Sequence, residues 1–267
     1  MQRAIFVGVL ISIVCPIISF YVVNRSLGFI GVGITHAAFG GMALGSFLGI
    51  NPVWVSVLFS AGAAIGIARV SKIKRVSEDT AIGVMYAAAM AIGIILIGLK
   101  KSYTVDLFGY LFGNILAVTK GDIIGIAFMA IVVIVSIVVF FKEFLILCFD
   151  EEFGRTLKLP MDFLYNFLLL LIAVTVVMAM KVIGIILVSA LLILPAATAQ
   201  LWFKNYRAVL IASVIFSLIN VMSGLFLSYY LNIASGATIV LIGTIIFLVS
   251  GILKGKKKTI TISNSMK

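Results

Sequence analysis

The chain has 267 residues, of which 63% are hydrophobic and only 11% charged, with a mean hydropathy of +1.30. A soluble globular domain is nearer half apolar and a quarter charged, so the composition excludes one, and the apolar runs of about 18 residues that recur along the chain read as transmembrane helices. The net charge of +11 would point to nucleic acid on a soluble protein. Here the basic residues sit in short loops, where they set topology and meet anionic lipid, and no nucleic-acid partner is expected.

Nine apolar segments follow in chain order: about 4–23, 30–50, 53–70, 80–99, 122–141, 163–180, 182–203, 208–231 and 236–253. The count is eight if 182–203 does not span fully. The first segment lacks a small-residue cleavage site and runs straight into Asn24 and Arg25, so it reads as a retained helix and not a signal peptide. The stretch 107–118, LFGYLFGNILAV, is too short to cross the roughly 30 Å hydrocarbon core and reads as a half-helix or re-entrant piece. The fold expected is therefore an all-α polytopic bundle of eight or nine spans. It forms a single transmembrane domain over 1–267, with a polar loop at about 142–162 and a basic tail at 254–267.

If the N-terminus lies outside, fifteen of the twenty Lys and Arg residues fall on the inner side, which favours nine spans and a cytoplasmic C-terminus. The second segment carries Gly33, Ala37, Gly41, Gly45 and Gly49 at four-residue spacing. Lipid supplies no hydrophobic drive between helices, so such a stripe marks close backbone packing and a central helix. Pro195 lies inside the seventh segment and predicts a kink there. Cys15 and Cys148, far apart in sequence, read as buried free thiols.

The residues able to carry chemistry are few. The acidic residues all lie at segment ends or in loops, which leaves His36, the chain's one histidine, as the ionisable group inside a span. It reads either as a neutral ring bonded to a neighbouring carbonyl or hydroxyl, such as that of Thr35 or of serines on facing helices, or as a weak metal ligand lining a path. No phosphate-binding loop is present: SGILKGKKKT at 250–259 has its glycines four apart and Lys257 where Ser or Thr is required. Neither H-E-x-x-H nor G-x-S-x-G occurs, so a membrane enzyme is poorly supported. The loop FDEEFGRTLKLP (149–160) is the most polar internal stretch, and reads as a solvated connector or as a short amphipathic helix that docks on a cytoplasmic partner.

Six stretches in order, NRSLGFIGVGITHAAFGGMALG (24–45), SEDTAIGVMYAAAMAIGIILIG (77–98), DLFGYLFGNILAV (106–118), FDEEFGRTLKLP (149–160), MKVIGIILVSALLILPAATA (180–199) and ASGATIVL (234–241), resemble the permease of ABC importers for zinc, manganese or iron. The resemblance spans about 10–253. It implies a homodimer in the cell inner (plasma) membrane, driven by two cytoplasmic ATP-binding subunits and supplied by an extracellular metal-binding protein. It implies no permanently bound cofactor: the divalent metal is cargo, and ATP is used by the partner. It places Asp150, Glu151 and Pro160 in the segment that couples to the ATPase, and Gly41, Gly45, Asn114 and Pro195 along the pathway or its packing. It makes His36 a transient pathway ligand.

The family patterns also show departures. The family's G-D-x-x-x-H has Val32 in place of its aspartate, so His36 stands without the carboxylate one turn away. The coupling pattern D-E-x-x-A-x-x-x-G has Gly154 or a neighbour at its alanine and Lys158 at its glycine. Asn114 stands where some zinc-type members carry aspartate, which is slightly closer to manganese-type members and does not choose the metal. A stand-alone secondary carrier or channel, which needs intramembrane charge, and a non-transporting scaffold are the rival readings.

Overall fold

The computed structural model describes residues 2–71, 77–99, 113 and 118–265. Among them are twelve α-helices: α1 (Gln2–Asn24), α2 (Ile30–Leu48), α3 (Pro52–Val70), α4 (Glu78–Leu99), α5 (Lys120–Val139), α6 (Phe141–Phe149), α7 (Glu151–Thr156), α8 (Met161–Ile183), α9 (Ile185–Leu191), α10 (Leu194–Trp202), α11 (Tyr206–Leu231) and α12 (Ser235–Ser265). Nine stretches among the described residues are long and apolar enough to cross a membrane, and they coincide with the nine segments read from the sequence. The half-helix expected at 107–118 lies outside the described residues except for Gly113 and Val118.

Burial separates centre from rim. In α2 and α8, 72% of the spanning window is inside the protein, against 17% in α4, 22% in α5 and 28% in α12. The helices at the rim turn large apolar side chains outward, among them Ile95, Ile124, Phe128 and Leu241, as a lipid-facing surface requires. The central α8 buries Leu164, Leu168, Leu169, Ile172 and Val176 completely or nearly so.

Small residues let α2 lie close to two neighbours. A Cβ on Gly41 would stand 2.7 Å from the Ser56 Cα, and one on Gly45 would stand 2.7 Å from the Pro52 Cα, so these two face α3. Gly40, outside the four-residue stripe, faces α4 instead, where a Cβ would stand 2.7 Å from the Ala89 carbonyl oxygen. Gly49 plays a different part from the one its place in the stripe suggests: it caps α2 in the left-handed region at φ 71°, and Asn51 then caps α3 by accepting from Val53 N at 3.0 Å.

The seventh segment is two helices, where a kink was expected. Gly184, at φ 82° and ψ 163°, separates α8 from α9, and Leu192 and Ile193 separate α9 from α10. Pro195 is the second residue of α10. Its ring has no N–H to give the Leu191 carbonyl and disfavours a helix continuing through the residues before it, so the chain breaks just upstream of the proline. Gly113 lies against the first break: a Cβ there would fall 2.4 Å from Gly184 N, and its own φ is 71°.

Candidate functional site

Among the described residues, two places bring polar chemistry together. The first surrounds His36, six residues into α2. Its Nδ1 lies 2.8 Å from the Val32 carbonyl oxygen. A carbonyl only accepts, so Nδ1 carries the proton, and in the neutral ring Nε2 is left with a free lone pair. Fixing one ring nitrogen by a backbone bond is how proteins orient a histidine for ligation through the other. The Tyr86 ring of α4 meets the imidazole edge-on, with centroids 4.5 Å apart and planes at 82°. His36 is half-buried. The Val32 side chain cannot ligate, and its backbone carbonyl is what His36 uses.

Beside His36, Thr35 Oγ1 donates to the Val32 carbonyl at 2.8 Å and lies 3.3 Å from Ser189 Oγ on α9. The short helix between the two breaks is thus tied to the histidine's own turn. Among the described residues no three or more His, Cys, Asp or Glu side chains gather as a metal cage. The chain holds one histidine, so a single imidazole is all that it can offer.

The second place is one end of the bundle, where α6 and α7 lie outside the spans. Asp150 caps α7, its Oδ1 accepting from Phe153 N at 2.8 Å. Glu151 turns inward and pairs with Arg25, from the α1–α2 turn, and with Arg155 at 2.9 Å. Partial burial pushes the Glu151 carboxyl up, but hydrogen bonds from Arg155 and Arg25, together with their charges, hold it below the ordinary carboxylate range. Arg155 reaches on to Asp162 at 3.2 Å. Phe149, Phe153 and Leu157 remain exposed on the outer side. Pro160 precedes α8, and its carbonyl accepts from Leu164 N at 3.0 Å.

Lys158 sits at φ 57°, in the left-handed region, with Leu159 N bonded to the Gly154 carbonyl at 3.1 Å. This is the helix-ending geometry that glycine adopts without strain, which accounts physically for a glycine in the family pattern at this position. Gly154 is buried, and a Cβ on it would meet the Met161 side chain.

The structure brings His36, Gly41 and Gly45 together on α2, places Pro195 at the α9–α10 break, and gathers Asp150 and Glu151 at the α7 end. Asn114 lies outside the described residues. Sequence reasoning expected a serine on a facing helix, which is Ser189, and missed Tyr86, Tyr165, the pairing of Glu78 and the inward role of Arg25. Tyr86 had one available signal, as the one aromatic residue in VMYAAAM, two turns into its helix as His36 is into α2.

Both cysteines are free, Cys15 buried and Cys148 half-buried. Burial pushes the Cys148 thiol up to about 12.

Comparison with known proteins gives a consistent result. The ABC 3 transport family matches residues 1–254. The manganese transport system membrane protein MntC of Listeria monocytogenes is 38% identical over 97% of this chain and 95% of its own length. The manganese import system permease protein ScaB of Streptococcus gordonii is 35% identical over 97% of this chain and 92% of its own. Among solved structures, PsaBC from Streptococcus pneumoniae in complex with Fab superposes with a TM-score of 0.84 at 36% identity, covering 93% of this chain and 90% of that one.

Proposed function

The chain belongs to the ABC 3 transport family, and from that premise we propose that it forms the translocation pathway of an ATP-driven manganese importer. At the coarser level it is a multi-pass membrane permease of the metal-type ABC transporters. Manganese is the cargo named for the relatives MntC and ScaB. Two copies pair around a pathway, each offering one His36 Nε2. Two neutral imidazoles hold a divalent ion weakly enough to release it.

The observation that carries the reading is α7. It is a six-residue helix outside every span, capped by Asp150 and presenting exposed Phe153 beside Phe149 and Leu157. Such an exposed apolar cluster with polar surroundings fits a partner's groove. The bias of fifteen basic residues against five supports a cytoplasmic location for this end and for the C-terminus. ATP binding in two partner subunits then rocks the pair between outward- and inward-open states, and an extracellular metal-binding protein delivers the ion.

A stand-alone carrier would need an ionisable group near the midplane. Among the described residues the acidic side chains of the spans, Glu78, Asp79, Asp122 and Asp162, all lie in first turns. The test is radiomanganese uptake by proteoliposomes holding the chain alone, or the chain with its ATPase and binding protein. Uptake is expected only from the full set with ATP, and ATP-independent uptake by the chain alone would establish the carrier instead.

A further inference from the structure

Four helices, α1, α6, α7 and α8, meet at Arg25. The residue lies in a tight turn between α1 and α2, in which Arg25 N bonds to the Tyr21 carbonyl at 3.0 Å and Leu27 N to the Val22 carbonyl at 2.9 Å. Leu27 is buried, and its carbonyl accepts from Ile30 N, the first residue of α2. A displacement of Arg25 therefore pulls directly on the start of α2. Its Nη1 donates to the Leu147 carbonyl at 3.1 Å, in the last turn of α6, where carbonyls have lost their helical partners. Its Nη2 pairs with Glu151, the first residue of α7. Its guanidinium stands 5.7 Å from the centre of the Tyr165 ring on α8. The Tyr165 hydroxyl in turn donates to Glu78, the first residue of α4, at 3.2 Å.

The helices fastened here, α2 and α4, are the two that carry His36 and Tyr86. By the helical rise, His36 lies about 9 Å from the start of α2 and Tyr86 about 12 Å from the start of α4. Packed helices move as stiff rods, so a shift imposed at their ends is felt where the two rings touch. We infer that Arg25 is a positioning residue of the transporter: with Glu151 on one side and Tyr165–Glu78 on the other, it carries movement of α7 into the α2–α4 pair. The inference rests on the reading of α7 as the ATPase-docking helix. Glu151 then serves as the link from the docking helix into the bundle, while the exposed apolar side chains meet the partner.

The test uses the chain reconstituted with its ATPase and binding protein, with manganese as the probe. Manganese imported per ATP hydrolysed is measured for wild type, Arg25→Gln, Glu151→Gln, the double variant and Tyr165→Phe. A structural staple would lower import and hydrolysis together and leave their ratio unchanged. A link lowers the ratio, by about fivefold or more for each single variant of the Arg25–Glu151 pair. Residues acting as one connection are non-additive, so the double variant falls no further than the worse single. Tyr165→Phe keeps the ring under Arg25 and loses the bond to Glu78, and its ratio also falls, with its melting midpoint unchanged. Losses that multiply in the double variant, or an unchanged ratio across the set, overturn the inference. If Arg25→Gln does not fold, an unchanged ratio in Tyr165→Phe overturns it by itself. Wild type that imports no manganese with ATP removes the underlying reading and the inference with it.

Discussion

Replacing Gly41 by alanine tests the packing that holds the histidine-bearing helix in place. The added Cβ would stand 2.7 Å from the Ser56 Cα, 2.8 Å from the Phe59 Cβ and 3.2 Å from the Val55 carbonyl oxygen. Carbon atoms rest about 3.5–4.0 Å apart, so α2 and α3 must separate by about 1 Å. Two of the three atoms are backbone, and no side-chain rotation relieves the clash. The same separation breaks the Ser56 Oγ bond to the Ala38 carbonyl, now 2.8 Å long.

Overpacking costs about 1–3 kcal/mol and an interhelical hydrogen bond in a membrane about 0.6 kcal/mol, while alanine returns about 1 kcal/mol of helix propensity. The net loss is about 2 kcal/mol, or a melting midpoint lower by about 5 °C for a chain of this size. Gly83 on α4 has nothing within 4 Å of its would-be Cβ. Gly83→Ala is therefore the control, and it melts with wild type or slightly above. Thermal unfolding of both variants in nanodiscs decides the matter. Gly41→Ala melting as high as Gly83→Ala would refute the argument from close approach.

Lys158→Gly removes a left-handed lysine at φ 57° and stabilises the α7–α8 corner by about 1 kcal/mol, read as slower amide exchange in α7. Gly184→Ala forces a side chain into φ 82° and ψ 163°, with Gly113 pressed against the same peptide, and destabilises by about 1–3 kcal/mol in the same melting assay. Glu151 has a folded pKa below its ordinary 4.5, so its pairing contributes fully above that value and is lost as pH falls through the lowered one. Amide exchange at Phe153 and Gly154 should accelerate on acidification, and Glu151→Gln should abolish that pH dependence. Val32→Asp restores a carboxylate one turn before His36 and lowers the manganese concentration for half-maximal uptake.

The spans were legible because a membrane helix needs little beyond length and apolar composition, and the nine segments match within a few residues. Close packing of α2 was legible from its four-residue stripe, yet the stripe missed Gly40, whose partner is α4. One period cannot describe a helix gripped on two sides. At Pro195 the sequence marked a disturbance, but whether a proline kinks or breaks a helix depends on what surrounds the freed carbonyl, and here the chain breaks at Leu192 and Ile193.

His36 stood out as the lone histidine, while Tyr86 and Ser189 are 50 and 153 residues away in sequence, so only the tertiary fold brings them near. Arg25 illustrates the same limit. As a letter in a loop it counts toward topology, and its bonds to Leu147 and Glu151 span more than 120 positions.

The most direct test of the account compares wild type with His36→Ala in proteoliposomes holding the chain, its ATPase and its binding protein, following radiomanganese with and without ATP. The account predicts ATP-dependent uptake in wild type that drops at least about tenfold in the variant, with melting unchanged. Uptake by His36→Ala equal to wild type would contradict it and leave the imidazole as packing between α2 and α4.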